Sequence, residues 1–347
     1  SHSRGLRRAR TMRNDMTNTK WVALLLLLGA AAPAAAETNE IRCAQQYGSS
    51  YLALMIMQDQ KLIEKHAKQA GLGDVKVTWA KLGGPGAMND ALLSGGLDFG
   101  TGGVPSLITL WAKTAGSPME VRGVGALNDM PNELMTNNPK VKSIKDLGPG
   151  DKIAVTTVKI STQALLLEMA AAKEWGDKSY DKLDPLTVSM PHPDAAAALI
   201  SGSGSITAHY ASPPFLYQEK AKGLHSVLKS YDTLGGPATF NVVWSTKRFH
   251  DQNPKAYAAF VAAFQEATDS INKDKKAAAE TYKRMTGTSE TVEDLVKQLS
   301  DPDVKFTLEP HRLGVTAEFL HKVGRVNKKP SSWKDLFFEN VHSLSGS

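Results

Sequence analysis

The sequence predicts an α/β protein of two similar domains, each built on a parallel sheet with crossover helices. After Glu37, short apolar strands alternate with helices that open at glycine or proline, which is typical of such sheets. The alternation starts again after a Pro/Gly-rich stretch at 145–150. The chain is also longer than one hydrophobic core usually supports, so two domains are expected.

In the first half, apolar spacing and the positions of glycine and proline define the elements. The segment 75–79 alternates apolar and polar side chains, as a half-buried strand does. Pro85 suits the first turn of a helix, and Gly95 its end. The glycines at 100–103 are expected to form a turn that opens a helix through Trp111. The predicted strands are 41–45, 75–79, 97–100, 121–127 and 133–136, and the first two predicted helices are 50–66 and 87–94.

The second half repeats this order, and the chain crosses between the halves twice. Extended segments near 128–134 and 234–245 make these crossings and are suited to act as a hinge. Beyond residue 250 the pattern is helical, with Asn253 as the expected N-cap and Pro254 as the first residue. The predicted strands are 153–158, 187–190 and 206–210, the helices are 162–173 and 193–200, and the apolar stripe expected in the core is Tyr257, Phe260, Val261, Phe264 and Ile271.

The first 36 residues resemble an export signal with some residues upstream of it. Lys20 precedes the apolar run 21–28, and Ala34, Ala35 and Ala36 are the small residues that a signal peptidase requires. The apolar run is shorter than the roughly 20 residues that a permanent membrane helix needs. We therefore expect cleavage before Glu37 and a soluble mature protein outside the cytoplasm.

Charge and cysteine content exclude several classes of protein. Removing residues 1–36 would leave 35 basic and 34 acidic residues, a net charge of +1, so no nucleic-acid partner is expected. The single cysteine, Cys43, excludes an internal disulfide and every multi-cysteine metal site. No HExxH, nucleophile-elbow, CxxC or dinucleotide-binding motif occurs. The sequence therefore predicts neither an enzyme nor a cofactor.

Glycine-rich turns and polar helix starts are the candidate ligand contacts. The segments 83–86 and 100–103 each lie between a strand and a helix, where free N–H groups favour a small anion; plain tight turns are the alternative. The segment 159–163 offers a cation, two hydroxyls and an amide, although Ser161 or Thr162 could simply cap the helix. His192 and His209 could each donate to a ligand oxygen or be structural.

Four short motifs resemble the solute-binding components of ABC importers, in the nitrate, taurine and alkanesulfonate group that includes thiamine-precursor binders. These are 93–100 (LSGGLDFG), 144–148 (IKDLG), 193–199 (PDAAAAL) and 330–337 (PSSWKDLF), in the order and spacing of that family. The resemblance implies a two-lobed periplasmic binding protein of type II that closes around a ligand. Each lobe would be a mostly parallel sheet flanked by helices, with a helical C-terminal extension on lobe 1.

The resemblance also implies domain boundaries, ligand contacts and partners. Lobe 1 would comprise 37–128 and 240–347, and lobe 2 would comprise 129–239. The protein would be a monomer without cofactor that delivers its ligand to a permease and ATPase in the inner membrane. The ligand would contact Gln46, Tyr47, Ser49, Gly83, Gly84, Gly102, Gly103, Lys159, Ser161, Thr162, His192, His209, Tyr210 and Ser212.

The nature of the ligand is left open by these residues. A sulfonate, nitrate or carboxylate suits helix N-termini with Lys159, whereas Tyr47 and Tyr210 would suit a flat aromatic ring. The anion is favoured because anion-friendly helix starts outnumber the aromatics. A sensor subunit, a binder of thiamine precursors or aromatic ligands, and an exported enzyme using His192 or His209 as a base are the alternatives on the same fold.

Overall fold

A computed structural model describes residues 35–347 and forms twelve strands and thirteen α-helices over that range. The predicted export signal therefore lies outside the described residues, apart from its last two. The strands are β1 (Glu40–Gln45), β2 (Lys76–Lys81), β3 (Gly100–Gly103), β4 (Val121–Ala126), β5 (Asn128–Asp129), β6 (Glu133–Thr136), β7 (Ile153–Val155), β8 (Thr187–Ser189), β9 (Ala208–Ala211), β10 (His225–Lys229), β11 (Asn241–Thr246) and β12 (Lys305–Phe306). The helices are α1 (Leu52–Asp59), α2 (Leu62–Gln69), α3 (Pro85–Leu93), α4 (Val104–Thr114), α5 (Thr162–Trp175), α6 (His192–Ser201), α7 (Phe215–Ala221), α8 (Ser230–Leu234), α9 (Lys247–Gln252), α10 (Pro254–Lys273), α11 (Lys275–Thr286), α12 (Val292–Leu299) and α13 (Leu313–Lys322).

The strands fall into two groups that give the protein two lobes. In lobe 1, β1 pairs with β2 in parallel and bridges Phe99, while β11 pairs with β3 and β4. In lobe 2, five strands form one sheet in the order β10-β6-β9-β7-β8. The α/β class and the two-lobed fold are confirmed, and the exact lobe boundaries at 128/129 and 239/240 stay a prediction.

The sheets are mixed, which corrects the expectation of mostly parallel sheets. β7 runs parallel to β8 and β9, but β6 runs antiparallel to β9 and β10, and β11 runs antiparallel to β3 and β4. β6 and β11 are the strands that begin within the two crossings. They start on the side between the lobes, where the parallel strands end, so they run in the opposite direction.

The C-terminal helices pack on lobe 1. The helix α10 contacts α1 and α2, α11 contacts α1, and α13 contacts α4. Phe260 of α10 stacks on Phe99 beside β3, with ring centroids 3.7 Å apart. The predicted stripe on α10 is buried except for Val261, which is half-buried. None of the helices in 35–347 is both long and apolar enough to cross a membrane.

Two local predictions are wrong, and a third is confirmed for the residue but not for its side chain. The expected helix over 50–66 is two helices, because Lys61 adopts a left-handed backbone (φ 51°) that lets α1 and α2 both contact α10. The glycines at 100–103 form β3 instead of a turn, because glycine lets the Trp244 ring pack on them: a Cβ on Gly102 would lie 2.8 Å from that ring. Asn253 is the N-cap of α10 as predicted, but its side chain accepts from the Thr38 N–H, and the Glu37 carboxylate accepts from the first N–H groups of the helix instead.

Candidate ligand-binding site

A small cavity lies between the two lobes, and its walls are polar but carry no full charge. The centre of a water-sized sphere can move through about 20 Å³ within it, which holds little more than one water molecule. The lobes must therefore part before an organic ligand can enter. The residues that line the cavity include no Asp, Glu, Lys or Arg within 35–347; they are Gln46, Tyr47, Tyr51, Pro85, Gly103, Ser106, Thr156, Thr162, Gln163, His192, Ser212, Phe240 and Asn241.

Four α-helices begin at this cavity. Pro85 is the first residue of α3, Gly103 is the N-cap of α4, Thr162 is the first residue of α5 and His192 is the first residue of α6. The first N–H groups of a helix lack intrahelical acceptors, and the helix dipole is positive at that end. Convergence of four such ends gives the uncharged walls a positive potential that favours an anion.

Fixed polar groups complete the lining from lobe 1. The Gln46 amide donates to the Thr101 carbonyl at 3.1 Å, and the Asn241 amide donates to the Ser50 hydroxyl at 3.0 Å. The Ser106 hydroxyl lines the cavity and is buried, and it has no hydrogen-bond partner among the described residues. A buried hydroxyl without a partner costs free energy, so this hydroxyl is suited to a ligand atom.

One cation contacts a ring of the cavity wall. The Lys81 ammonium lies over the Tyr47 ring, 5.4 Å from its centroid. Burial lowers the pKa of Lys81. Lys81 was not predicted from the sequence because it ends β2, two residues before the candidate turn at 83–86.

Glycines bring the lobes into contact around the cavity. A Cβ built on Gly103 would lie 2.9 Å from the Thr162 Cβ, and one on Gly84 would lie 2.8 Å from the Thr156 carbonyl oxygen. Real Cβ atoms essentially never come that close to another atom. These two glycines therefore permit the closed arrangement of the lobes.

A chain of three buried side chains backs the cavity on lobe 2. His192 lines the cavity, and its Nδ1 lies 2.8 Å from His209 Nε2. The other ring nitrogen of His209, Nδ1, bonds the Glu219 carboxyl group. The exposed fractions of His192, His209 and Glu219 are 6%, 1% and 0%. Burial lowers the pKa of His209, and burial with the neighbouring His209 lowers that of His192, so both rings are neutral.

The structure brings six of the fourteen predicted ligand contacts to the cavity wall. Ser161 caps α5 through its hydroxyl, His209 lies behind His192, and Tyr210 is fully buried. Lys159 is exposed, and its carbonyl accepts from Arg325 at 2.6 Å. Ligand contact with any of these residues stays a prediction. The six are Gln46, Tyr47, Gly103, Thr162, His192 and Ser212, and those away from the wall are Ser49, Gly83, Gly84, Gly102, Lys159, Ser161, His209 and Tyr210.

Most of the remaining lining residues were not predicted. Ser106 is the third residue of α4, beyond the predicted glycine-rich turn, and Asn241 begins β11 within the second crossing, where no contact was predicted. Glu219 had a usable signal, because it follows Phe215 by four residues and Leu216 by three on a short helix, which places a carboxyl group on the apolar face. The other missed lining residues are Tyr51, Thr156 and Phe240, whereas Pro85 and Gln163 belong to the candidate segments 83–86 and 159–163.

Two α/β lobes with a small polar cavity enclosed between them define the architecture of the periplasmic binding proteins. The chain belongs to the NMT1-like family, whose model matches residues 34–286. No curated protein sequence matches it significantly. Across the described residues, no three His, Cys, Asp or Glu side chains are grouped so as to hold a metal ion.

Solved structures with the same fold share little sequence with this chain. The alkanesulfonate-binding protein SsuA from Xanthomonas axonopodis pv. citri, bound to MOPS, is 19% identical, with a TM-score of 0.64 over 85% of this chain and 96% of that one. The nitrate-binding protein NrtA from Synechocystis PCC 6803 is 18% identical, with a TM-score of 0.61 over 86% of this chain and 84% of that one. The Candida albicans CA3427 gene product, described as having the generic periplasmic binding protein fold, is 14% identical, with a TM-score of 0.64 over 86% and 96%.

Proposed function

We propose that this protein is the substrate-binding component of an ABC importer and captures a small anion between its lobes. The observation that carries the proposal is the cavity itself. Four helix N-termini and the unpaired Ser106 hydroxyl face a space without any charged side chain among its described lining residues. Such a site offers hydrogen-bond donors and a positive potential, which are what an oxyanion requires.

The relatives in the same fold agree with this ligand class. Their names state that they bind an alkanesulfonate and nitrate, both of which are oxyanions. Sulfonate, nitrate and small carboxylate remain the candidate ligands for this chain. An aromatic ligand is a weaker candidate, because Tyr210, one of the two rings expected to stack on it, is fully buried and does not line the cavity.

A thermal-shift screen tests the ligand class. Purified 37–347 would be heated with nitrate, bicarbonate, acetate, methanesulfonate, taurine, benzoate and a pyrimidine. A ligand at one hundred times its dissociation constant stabilises the folded state by about 2.7 kcal/mol, which raises the unfolding midpoint by several degrees. We expect an oxyanion to do so. A shift with the uncharged pyrimidine alone would refute the anion assignment.

Binding without turnover is the expected behaviour. His192 Nε2 has one hydrogen-bond contact within the described residues, the Gln163 amide at 3.5 Å, and no hydroxyl or thiol that it could activate as a nucleophile. We therefore propose that the protein releases its ligand unchanged to a permease and its ATPase and acts as a monomer. Recovery of a chemically altered ligand after incubation would contradict this.

The proposed site of action is the periplasm, which requires export and cleavage of the leader. Amino-terminal sequencing of the protein recovered from the periplasm should begin at Glu37, because Ala34–Ala36 form the expected cleavage site. The variant Ala36→Arg should slow cleavage and leave a larger precursor. A mature protein that keeps the residues before Glu37 would contradict the proposed processing.

A further inference from the structure

The chain Glu219–His209–His192 connects the protein interior to the cavity through two hydrogen bonds. Phe215 lies against His192 with nearly parallel rings and centroids 5.7 Å apart. His209 bonds His192 with one ring nitrogen and Glu219 with the other. The remaining nitrogen, His192 Nε2, belongs to a residue of the cavity wall. The direction of the other two hydrogen bonds therefore determines whether His192 Nε2 carries a hydrogen.

Counting hydrogens gives this chain two states. Each N···N or N···O bond holds one hydrogen, and a neutral imidazole carries one N–H. With a proton on Glu219, its O–H donates to His209 Nδ1 and the His209 Nε2–H donates to His192 Nδ1, so His192 Nε2 carries a hydrogen. Without that proton, the His209 Nδ1–H donates to the Glu219 carboxylate. His209 Nε2 then accepts a hydrogen bond from the His192 Nδ1–H. His192 Nε2 then presents a lone pair to the cavity.

The Gln163 amide allows both states. Its nitrogen lies 3.5 Å from His192 Nε2 and 3.1 Å from the Asn132 side-chain oxygen. Rotating the amide by 180° exchanges its oxygen and nitrogen, so this group can face either a donor or an acceptor. The Asn132 amide can rotate with it.

Burial favours the state that keeps the proton. Glu219 is fully buried, and its second oxygen has no hydrogen-bond partner among the described residues, so a bare carboxylate there would be poorly stabilised. Burial accordingly raises the pKa of Glu219. The charged groups on the neighbouring elements are exposed or already paired: Asp194 on α6 is exposed, Lys220 on α7 pairs with Glu133 of β6 at 2.7 Å, and Glu168 on α5 pairs with Arg325 at 2.6 Å. The Tyr217 hydroxyl on α7 donates to Asp301 at 3.2 Å. The Tyr210 hydroxyl of β9 is buried without a partner among the described residues, and burial raises its pKa, so it stays neutral.

We infer that Glu219 and His209 are positioning residues that hold one proton so that His192 Nε2–H donates to an oxyanion in the cavity. The inference rests on the proposed function for its ligand. It makes anion binding depend on the protonated state of the three-residue chain. Loss of the proton reverses both hydrogen bonds, replaces the donor at the cavity with a lone pair and adds a negative charge behind it.

Anion binding should weaken as the pH rises. Because binding requires the retained proton, affinity is constant while Glu219 keeps it and falls tenfold per pH unit above its pKa, which burial raises to about 9. Affinity for nitrate or methanesulfonate should therefore fall about tenfold between about pH 8 and about pH 10. Calorimetric titration with the anion, in buffers of different ionisation enthalpy, should show that the protein takes up about one proton per bound anion near about pH 10.

The test has two arms, and the first needs no ligand. Nitrogen-15 NMR of the histidine rings, assigned with single His→Gln variants, reports which nitrogen carries the hydrogen. The inference expects the Nε2–H form of His192 at neutral pH and the Nδ1–H form above the pKa of Glu219. A His192 ring in the Nδ1–H form at neutral pH would overturn it. This arm decides the inference even if no anion on the panel binds, an outcome that would count against the proposed function alone.

The second arm compares Glu219→Gln with Glu133→Gln. The first variant keeps a hydrogen-bonding group beside His209 but removes the titrating proton, so its anion affinity should change less than about twofold between about pH 8 and about pH 10. Glu133→Gln makes the same chemical change on the neighbouring strand, in a pair with exposed Lys220, and should keep the tenfold fall. A tenfold fall that persists in Glu219→Gln would overturn the inference. If Glu219→Gln does not fold, the NMR titration of the unmodified protein decides whether the inference holds.

Discussion

Replacing Gly103 with alanine should leave the protein folded but weaken ligand binding by about 10- to 100-fold. Gly103 has an ordinary extended backbone (φ −75°), so alanine is tolerated while the lobes are apart. In the closed arrangement the added Cβ would lie 2.9 Å from the Thr162 Cβ, and rotation of the threonine side chain does not move that atom. Overpacking of this kind costs about 1–3 kcal/mol, which would be lost from the free energy of closure.

The measurement is calorimetric titration of the variant with the anion found in the screen, alongside its unfolding midpoint. Gly148→Ala is the matched control, because no atom lies within 4 Å of its built Cβ. The double variant Gly103→Ala/Thr162→Gly should recover most of the free energy of lobe closure, since it removes the Thr162 Cβ that the added methyl group would meet. Unchanged affinity in Gly103→Ala would show that the lobes do not meet at this point when the ligand is bound.

Replacing Phe260 with alanine should reduce the free energy of unfolding by about 3–5 kcal/mol. Phe260 is fully buried on α10 and stacks on Phe99 beside β3, so the change opens a cavity where the C-terminal helices meet lobe 1. Urea unfolding of 37–347 measures the loss. Val261→Ala on the same helix is the control, and it should cost only about 1 kcal/mol because Val261 is half-buried. Equal losses in the two variants would contradict the packing described for α10.

Most of the strand and helix order could be predicted because it depends on local patterns. The alternation in β2 and the proline at the start of α3 are visible within a few residues. The glycines of β3 could not be placed, because the Trp244 ring that packs on them lies about 140 residues further along the chain. Likewise, the first N–H groups of α10 are capped by Glu37, more than 200 residues earlier in the chain.

The candidate site divides in the same way. Thr162 and His192 were predicted because they begin helices after short strands, and such positions meet at one edge of an open α/β sheet. Ser106 and Asn241 reach the cavity only through the packing of α4 and β11, which no short motif records. His209 was predicted as a ligand contact of its own, whereas the structure places it behind His192, where it can act through that ring.

Small-angle X-ray scattering of 37–347, with and without the anion found in the screen, tests the central claim most directly. The cavity is too small for an organic ligand to enter, so the ligand-free protein should be more extended in solution than the structure described here. Saturation with the anion should lower the radius of gyration to the value calculated from this structure. A scattering curve that stays the same while calorimetry shows binding would contradict capture by lobe closure.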